Sequence, residues 1–507
     1  MSALQNTSQL HPNDNVRVAM APLAKGTDVG GVRLISMVMP GHKIATAAIS
    51  VNEPIIKYDQ IIGFASEAIA AGGHVHSHNC QFRSDFERDT APGSKSNPTQ
   101  FVPEAERATF MGYKRADGKV GTRNYLAILT TVNCSATVAK MIARHFEGDA
   151  LEDYPNVDGV VAFAHATGCG MAMDGEGYAI LQRTLFGYAS HPNFAGALVI
   201  GLGCETSQVS HLKEAYGLED GDAFQSMTIQ GAGGTRKAVE DGIRRIHDML
   251  PAANACQREE VSAEHLTLAL QCGGSDGFSG ITANPALGAA ADLLVRHGGT
   301  AILAETPEIY GAEHLLTQRA ADPDVADKLM SRIRWWEDYT ARNNGSIDNN
   351  PSPGNKAGGL TTILEKSLGA VAKGGTTDLM DVLQYAEPLR TKGFVFMDSP
   401  GYDPVSVTGE VASGATVVCF TTGRGSVFGY KPAPSIKLAT NTKLYEHMSE
   451  DMDINCGEVL SEGVPIAEMG ERIFQLILQV ASGQPSKSES LGFGDNEFNP
   501  WVIGAVM

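Results

Sequence analysis

Four of the eight cysteines stand directly after apolar runs that predict β-strands. They occur in the segments TTVNCS, HATGCG, GLGCET and QCGGSD, as Cys134, Cys169, Cys204 and Cys272. The carboxyl ends of parallel strands meet at one edge of a sheet, where α/β proteins bind ligands. Clustered thiolates suit iron or zinc, and three thiolates around a cluster leave one iron open. The row predicts a metal centre; the alternative for each cysteine singly is a small packed side chain.

A histidine series near the N-terminus is a second possible metal site. His74, His76 and His78 alternate in GHVHSHNC, and an extended strand would put their imidazoles on one side, where they could chelate a divalent ion. The alternative is a polar strand end near a domain boundary. His42 and Lys43 stand in the turn PGHKIA, and the pair predicts either a general base beside a cation or two solvated turn residues.

Other polar residues follow predicted strands or fill shaped loops. The segment NPSPGNKAGG has too many Pro, Gly and Asn residues for a helix interior, so Asn355, Lys356 and free amides there suit a carboxylate. Arg424 stands between two glycines after a strand and can bind a carboxylate in bidentate fashion, unless it is only a surface turn residue. Further candidates directly after strands are His165, Ser275, Asp276, Glu305 and Glu308.

Two different patterns of elements must position these residues. Short β-type runs separated by Gly, Pro and Asn turns predict a small β-rich domain over residues 1–84. Residues 85–105 are polar and contain proline, which favours a linker. Beyond it, apolar strands alternate with amphipathic helices, the pattern of a doubly wound, mostly parallel α/β fold. We expect a catalytic α/β domain over 106–390, followed at 391–507 by a C-terminal α/β domain or the second half of the same sheet.

Composition limits the class of protein. The chain has 507 residues with 56 glycines, which favours several domains with many tight strand-to-helix turns. A net charge of −19 repels phosphates, so we expect neither nucleic acid nor a membrane surface as a partner. The N-terminal segment lacks the features of a signal peptide and no apolar run is long enough to span a bilayer, so we expect a cytoplasmic location.

The order of the motifs resembles that of the altronate/galactarate dehydratase family. The resemblance runs from about Val16 to the C-terminus and rests on GYKRADGKVGTRNY, HATGCG, GLGCE, QCGGSDGFSGITANPALG, NPSPGNKAGG and TTGRG. The segment with PGHKIA is similar to the small SAF-type β-domain of that family, and HVHSHN resembles its altronate branch. Membership implies an iron-dependent hydro-lyase that converts an altronate-type aldonate or a galactarate-type aldarate to a 2-keto-3-deoxy acid. A related branch eliminates sulfite from sulfolactate, normally with the small domain on a separate chain.

The resemblance, taken with the chemistry of dehydration, assigns roles to the candidates. A base must reach the α-proton of the acid, and cations or amides must orient its carboxylate. We expect Fe2+, as an ion or in an iron–sulfur cluster and replaceable by Mn2+ or another divalent ion, on the four cysteines or on His74, His76 and His78. The expected catalytic residues are His42, Lys43, His165 and Lys356, and the expected substrate-binding residues are Ser275, Asp276, Glu305, Asn355 and Arg424.

Alternatives from other classes stay open at this point. An iron–sulfur sensor protein would use the cysteine row without dehydrating anything. A sugar-acid binding protein would use the loops alone. For the assembly we expect a homodimer.

Overall fold

The computed structural model describes residue 4 and residues 6–86 and 91–506. The N-terminal part of the chain forms only short strands, because Gly, Pro and Asn turns interrupt it every few residues. These strands are β1 (Thr7–Ser8), β2 (Val16–Ala19), β3 (Asp28–Val29), β4 (Val32–Arg33), β5 (Lys43–Ala45), β6 (Pro54–Lys57), β7 (Gln60–Ala65), β8 (His74–Val75) and β9 (Cys80–Gln81).

These strands form an N-terminal β domain of small antiparallel sheets. One sheet has the order β1-β2-β5-β8, a second has the order β6-β7-β9, and β3 pairs with β4. Ile55, Ile62 and Val75 belong to the same buried cluster as Ile363 and Leu364 of the last part of the chain. The β domain therefore shares a hydrophobic core with the body that follows it and is not tethered to it loosely.

The middle of the chain forms a parallel sheet covered by helices on both faces. The elements of this part of the chain are β10 (Thr109–Lys114), β11 (Val120–Gly121), β12 (Tyr125–Thr130), α1 (Ala136–His145), β13 (Gly159–Phe163), α2 (Glu176–Ala189), β14 (Phe194–Gly201), α3 (Val209–Tyr216), β15 (Phe224–Thr228) and α4 (Thr235–Ala255). The four-stranded sheet has the order β13-β12-β14-β15. Leu126 and Ile128 face the cluster with α1 and α4, whereas Ala127 and Leu129 face the cluster with α2. This alternation is what buries a strand on both sides.

The last part of the chain forms a larger parallel sheet. Its elements are β16 (Arg258–Ser262), β17 (Thr267–Cys272), α5 (Ala283–Arg296), β18 (Thr300–Leu303), α6 (His314–Thr317), α7 (Pro323–Arg342), α8 (Pro353–Ala357), α9 (Ile363–Val371), β19 (Leu379–Leu383), β20 (Gly393–Met397), α10 (Asp403–Ser413), β21 (Val417–Thr422), β22 (Ser435–Ala439), α11 (Thr442–His447), β23 (Ile454–Asn455), α12 (Glu458–Ser461), α13 (Ile466–Ala481) and α14 (Lys487–Ser490). The seven-stranded sheet has the order β19-β20-β18-β17-β21-β22-β23, and β10, β11 and β16 form a separate antiparallel sheet.

The predicted fold class, a small β-rich domain followed by mostly parallel α/β structure, is confirmed. The expected boundary between residues 390 and 391 falls between β19 and β20, which pair directly in the seven-stranded sheet. Residues after 391 therefore add strands to a sheet that begins with β17.

The predicted linker lies along the last body where the structure describes it; its residues 87–90 are outside the described part. The backbone amide of Lys95 donates to the carbonyl of Gln318, and that of Asn97 donates to the Asp378 carboxylate at 2.6 Å. Across the described residues, no helix combines the length and the apolar character that crossing a bilayer requires.

Candidate functional site

The turn before β5 packs against two loops of the last body, and we call this contact the seam. It joins residues 40–43 to residues 273–277 and 352–359. Gly41 has φ +80°, and a Cβ there would lie 2.6 Å from the carbonyl oxygen of Gly358. A Cβ on Gly277 would lie 2.2 Å from the carbonyl oxygen of Gly41. Only glycine permits backbones to approach this closely, so the sequence motifs PGHK and GGSDG are required by the packing of the seam.

Three histidines converge on the β-domain side of the seam. β5 and β8 are antiparallel with Ile44 opposite His74, and one further step of this register sets His42 opposite His76. Nδ1 of His42 lies 3.0 Å from Nε2 of His74, and the ligand atoms of all three histidines lie within 4.8 Å of one another. Nε2 of His42 also lies 3.4 Å from the carbonyl oxygen of Ala357 in the last body. We call His42, His74 and His76 the histidine set.

Burial keeps the histidine set in the neutral form that binds metals. It lowers the pKa of His42, lowers that of His74 to about 4 and lowers that of His76 to about 3. Nδ1 of His76 is buried without a hydrogen-bond partner among the described residues. Unprotonated imidazoles with a free buried lone pair are the donors that a divalent transition metal requires.

The expected alternation of histidines along one strand differs from the structure. β8 ends at Val75, and a turn follows in which the amide of His76 donates to the Asn79 side chain at 2.9 Å. His78 is therefore exposed and stands outside the histidine set, although its ring centroid lies 5.4 Å from that of His74. The third member is His42, which the sequence suggested as a base.

Lys43 belongs to a buried ion cluster beneath the seam. Its ammonium donates to the Glu365 carboxylate at 2.8 Å and to the carbonyl oxygen of Gly359 at 2.6 Å. Lys57 donates to the other Glu365 oxygen at 2.9 Å, and all three charged side chains are buried. Burial alone would raise the pKa of Glu365, but the two ammoniums outweigh it and hold that pKa far below its usual range. The cluster fixes the β domain to α9 and places positive charge beside the histidine set.

The loop residues predicted to bind substrate mostly hold the two loops of the seam together. Asn355 caps the short helix α8 and donates to the carbonyl oxygen of Ser275 at 2.9 Å. The Asp276 carboxylate is buried and accepts from Ser279 at 3.0 Å and from Thr440 at 3.1 Å. Burial raises the pKa of Asp276.

Two cations stand at the outer side of these loops. The backbone amide of Arg424 donates to the carbonyl oxygen of Gly274 at 2.8 Å, while its exposed side chain crosses over Gly358. Lys356 lies on α8 and is half-buried. Both side chains remain accessible to an anionic group.

A second group of potential ligand atoms lies at the carboxyl ends of β17 and β18. Cys272, Glu305 and Glu308 are all buried, with their ligand atoms within 4.8 Å of one another. Two ammoniums already neutralise the group. Lys373 donates to the Cys272 sulfur at 3.0 Å, and Lys366 donates to Glu308 at 2.7 Å. A bound cation would have to compete with these lysines, so the histidine set is better suited to a metal.

A cavity of about 410 Å³ opens beside this second group, and we call it the carboxylate cavity. Its walls include Cys272, Glu308, Asn350, Asn355, Lys366 and Asp403. Because Asn355 belongs to α8, whose last residue contacts His42, this one short helix separates the carboxylate cavity from the histidine set.

The carboxyl groups of Glu305, Glu308 and Asp403 differ in proton affinity. Burial raises the pKa of Glu305 well above its usual value, and no hydrogen bond from a described residue reaches its carboxylate. Burial would also raise the pKa of Glu308, but Lys366 and Lys373 hold it below the usual value. Burial and the charge of Glu308 raise the pKa of Asp403 to about 6. Such separation of pKa values is typical of sites that transfer protons.

Glu305 has an unusual backbone conformation. Its φ is +73°, in the left-handed region that a residue with a Cβ rarely adopts. Such conformations are concentrated at functional sites.

The four cysteines of the predicted row do not come together. Cys134, Cys169 and Cys204 are exposed on loops after β12, β13 and β14 of the four-stranded sheet, whereas Cys272 is buried at the end of β17 in the seven-stranded sheet. The strands β12, β13 and β14 belong to one sheet and β17 belongs to another, and this separates the row into three and one.

His165 lies in the four-stranded body and both its ring nitrogens are engaged. Nε2 lies 2.8 Å from the carbonyl oxygen of Thr130, and Nδ1 accepts from the amide of Thr167 at 3.3 Å. Burial lowers the pKa of His165 to about 4. These contacts hold the loops after β12 and β13 in place.

The sequence reading missed several charged residues of the site. Lys366 and Lys373 pack inside the last body although they are lysines, and Glu365 and Asp403 are also buried or nearly so. A signal was present, because the segment EKSLGAVAK sets two lysines and a glutamate in an otherwise apolar helical pattern. Charges in such a helix must find buried partners.

Comparisons with known proteins cover almost the whole chain. Three family models match: "Altronate/galactarate dehydratase SAF domain" at residues 5–83, "D-galactarate dehydratase/Altronate hydrolase, second domain" at 112–254 and "D-galactarate/Altronate dehydratase, C-terminal" at 263–506. The chain belongs to the altronate and galactarate dehydratase family. The predicted resemblance is therefore confirmed, and so is the prediction of a hydro-lyase.

Individual relatives agree with the family assignment. The altronate dehydratase of Bacillus subtilis (strain 168) is 36% identical over 96% of this chain and 97% of its own length. The galactarate dehydratase (L-threo-forming) of Escherichia coli (strain K12) is 39% identical over 94% of this chain and 92% of its own. The (2R)-sulfolactate sulfo-lyase subunit beta of Chromohalobacter salexigens is 32% identical over 77% of this chain and 96% of its own. The relatives named as dehydratases support dehydration of a sugar acid.

Proposed function

We propose that this chain removes water from a sugar acid of the altronate or galactarate type and releases a 2-keto-3-deoxy sugar acid. The observation that carries the proposal is the seam. There the β domain brings His42 against α8, and the opposite side of α8 lines the carboxylate cavity. Neither body alone holds both parts, so the reaction requires the domains to stay docked.

The histidine set is the proposed site of a divalent metal, Fe2+ with Mn2+ or another ion as a substitute. His42, His74 and His76 fit such an ion because they are neutral and because Nδ1 of His76 has no protein partner in the described residues. When bound, an ion of this kind stabilises negative charge on substrate oxygens as a Lewis acid.

The proton transfers are assigned to the carboxylate cavity. A base removes the proton from C2, the hydroxyl on C3 leaves with a proton as water, and the resulting enol becomes the 2-keto group. Glu308 is proposed as the base, since Lys366 and Asn350 hold it ionised and it lines the cavity. Asp403 is proposed as the proton donor to the leaving hydroxyl, since its raised pKa keeps it protonated in part near pH 6.

The remaining site residues are assigned to orientation. Arg424 and Lys356 are proposed to bind the substrate carboxylate, because both side chains are accessible. Arg424 is hydrogen-bonded to Gly274 and Lys356 follows Asn355, and both Gly274 and Asn355 line the cavity. Ser275, Asp276 and Asn355 shape the loops that face it. Lys43 and His165 are proposed to act by fixing structure, because their polar atoms are engaged with protein partners.

A panel of aldonic and aldaric acids with Fe2+ and reductant tests the proposal. Formation of 2-keto acid from altronate or galactarate is the expected result. His76→Ala is expected to lose metal and turnover together, whereas His78→Ala, which changes an exposed histidine outside the set, retains both. If the protein with iron is inert to every acid of the panel, a binding or sensor protein replaces the enzyme in this proposal.

A sulfo-lyase activity is the second candidate, favoured by the sulfolactate relative that covers 77% of the chain. The same panel includes sulfolactate, with sulfite as the product measured. Sulfite release with no dehydration of any sugar acid would select this candidate.

A homodimer and a cytoplasmic location complete the proposal. Light scattering of the purified protein measures the first, and cell fractionation measures the second.

A further inference from the structure

Three exposed cysteines, Cys134, Cys169 and Cys204, lie at one edge of the four-stranded sheet, which contributes no residue to the seam. The strands before them are neighbours in the order β13-β12-β14. Thr130 pairs with Ile200, and Cys134 and Cys204 each follow four residues after these partners. The parallel register therefore delivers the two thiols at the same level, and Cys169 follows the strand on the other side of β12.

Hydrogen bonds join the three cysteine loops directly. The amide of Asn133, next to Cys134, donates to the carbonyl oxygen of Thr167 at 3.0 Å. The amide of Ser207 donates to the carbonyl oxygen of Gly168 at 3.0 Å. These bonds link the Cys134 loop to the Cys169 loop and the Cys169 loop to the Cys204 loop.

A buried carboxylate adds the third link. Glu205, next to Cys204, accepts from Thr131 at 2.7 Å and from the amide of Gly203 at 2.6 Å. The carboxylate thus ties the loop after β14 to the end of β12. All three loops are held in one rigid arrangement.

Glycines bring the Cys169 loop unusually close to its neighbour. Gly168 has φ +108°, and a Cβ there would lie 2.1 Å from the carbonyl oxygen of Thr131. Gly170, on the other side of Cys169, has φ +67°. The cysteine is therefore presented between two residues whose backbone conformations favour glycine.

The three thiols do not form a ready site for a single tetrahedral ion. Around one tetrahedral ion, sulfur atoms stand about 3.8 Å apart, given metal–sulfur bonds of about 2.3 Å. Among the described residues, two groups of three potential ligand atoms lie within 4.8 Å of one another, and neither group contains these cysteines. An iron–sulfur cluster spreads its thiolates more widely, with one thiolate to each iron.

Two further contacts suit thiolate ligands. Nε2 of Gln230 donates to the sulfur of Cys204 at 3.3 Å, and hydrogen bonds to sulfur are one way in which proteins tune such clusters. Cys134 lies in the 3-10 turn that leads into the ten-residue helix α1, whose N-terminus favours negative charge.

We propose that Cys134, Cys169 and Cys204 bind an iron–sulfur cluster of the [4Fe–4S] type, separate from the metal of the histidine set. Three thiolates bind three of the irons. The exposed side of the loops leaves the fourth iron accessible to water or to an oxygen ligand.

Chemical reconstitution of the full-length protein tests this site. Protein treated anaerobically with Fe2+, sulfide and thiol reductant is expected to gain a broad visible absorbance, about four acid-labile sulfides per chain, and about four irons beyond the one that the histidine set would bind. Cys134→Ser, Cys169→Ser and Cys204→Ser are each expected to lose most of the sulfide. Cys256→Ser, a partly exposed cysteine at the end of α4, is the matched control and is expected to keep it.

Wild-type protein that takes up no sulfide, or that binds one zinc with no chromophore, would overturn the proposal. So would full sulfide content in the three cysteine variants. Circular dichroism of each variant shows that its fold is retained. Sulfide content is measured without any sugar acid, so this result and the test of dehydration through His76 are independent.

Discussion

The ammonium of Lys373 donates a hydrogen bond of 3.0 Å to the sulfur of Cys272, a buried residue in the wall of the carboxylate cavity, and the Lys373 side chain is itself fully buried. Burial raises the pKa of the Cys272 thiol to about 12. The thiol therefore stays protonated, and the positive charge of Lys373 is left to help to hold Glu308 ionised. The Lys373 ammonium also lies 3.9 Å from the carboxyl group of Glu305.

Replacing this ammonium should destabilise the last body. Lys373→Met leaves the buried carboxyl groups without one of their two cations, and we expect the free energy of unfolding to fall by about 3–5 kcal/mol. Urea denaturation measures the change. Lys356→Met, on a half-buried lysine of α8, is the control and is expected to change stability by less than about 0.5 kcal/mol. Equal stability of the two variants would show that the Lys373 charge is not needed.

Ionisation of Glu410 should make the free energy of unfolding depend on pH. This carboxyl is fully buried on α10, and burial raises its pKa to about 8. The folded state therefore keeps a proton that the unfolded state releases near pH 4.5, so the contribution of Glu410 is full below that pH and is lost as pH rises toward 8.

Glu410→Gln removes this dependence. We expect the variant to gain stability relative to wild type as pH rises from 5 to 8, by on the order of a few kcal/mol. Denaturation curves at several pH values measure the gap. A gap that stays constant with pH would mean that Glu410 is ionised in the folded protein.

The docking of the β domain should depend on Gly41. Gly41→Ala places a Cβ 2.6 Å from the carbonyl oxygen of Gly358, so we expect the seam to open and both metal affinity and turnover to fall at least tenfold. Gly31→Ala is the matched control, since Gly31 also has positive φ, +88°, but a Cβ there meets nothing within 4 Å.

The control separates strain from steric conflict. Gly31→Ala is expected to cost about 1 kcal/mol of backbone strain and to leave metal binding unchanged. Isothermal titration with Mn2+ and turnover assays compare the two variants. Similar losses in both would remove the special role of the seam.

The proposed base predicts a kinetic effect at Glu308. Glu308→Gln keeps the size of the side chain but cannot accept the α-proton, so we expect kcat to fall by about 10²–10⁴ with a small change in KM. Asp338→Asn, on an exposed aspartate of α7, serves as the control. Exchange of the C2 proton with deuterated water should fall in parallel with kcat. A Glu308→Gln enzyme that exchanges this proton at the wild-type rate would move the base elsewhere.

The fold class, the class of enzyme and the positions of many loop residues could be predicted from the sequence. Apolar strands buried on both faces are readable locally, because side chains alternate along a strand whatever the rest of the chain does. Residues directly after such strands, including Cys134 and Glu305, could be named for the same reason. The long motifs then pointed to the family.

Which of these residues meet could not be predicted from the sequence and depends on the folded chain. The order of strands in a sheet depends on long-range pairing, so nothing in the local pattern showed that Cys272 belongs to a different sheet from Cys134. The pairing of β5 with β8 exchanged His78 for His42 in the histidine set. Burial of Lys366 became visible only with its partner Glu308, since a charge is tolerated inside a protein through contacts that sequence separation conceals.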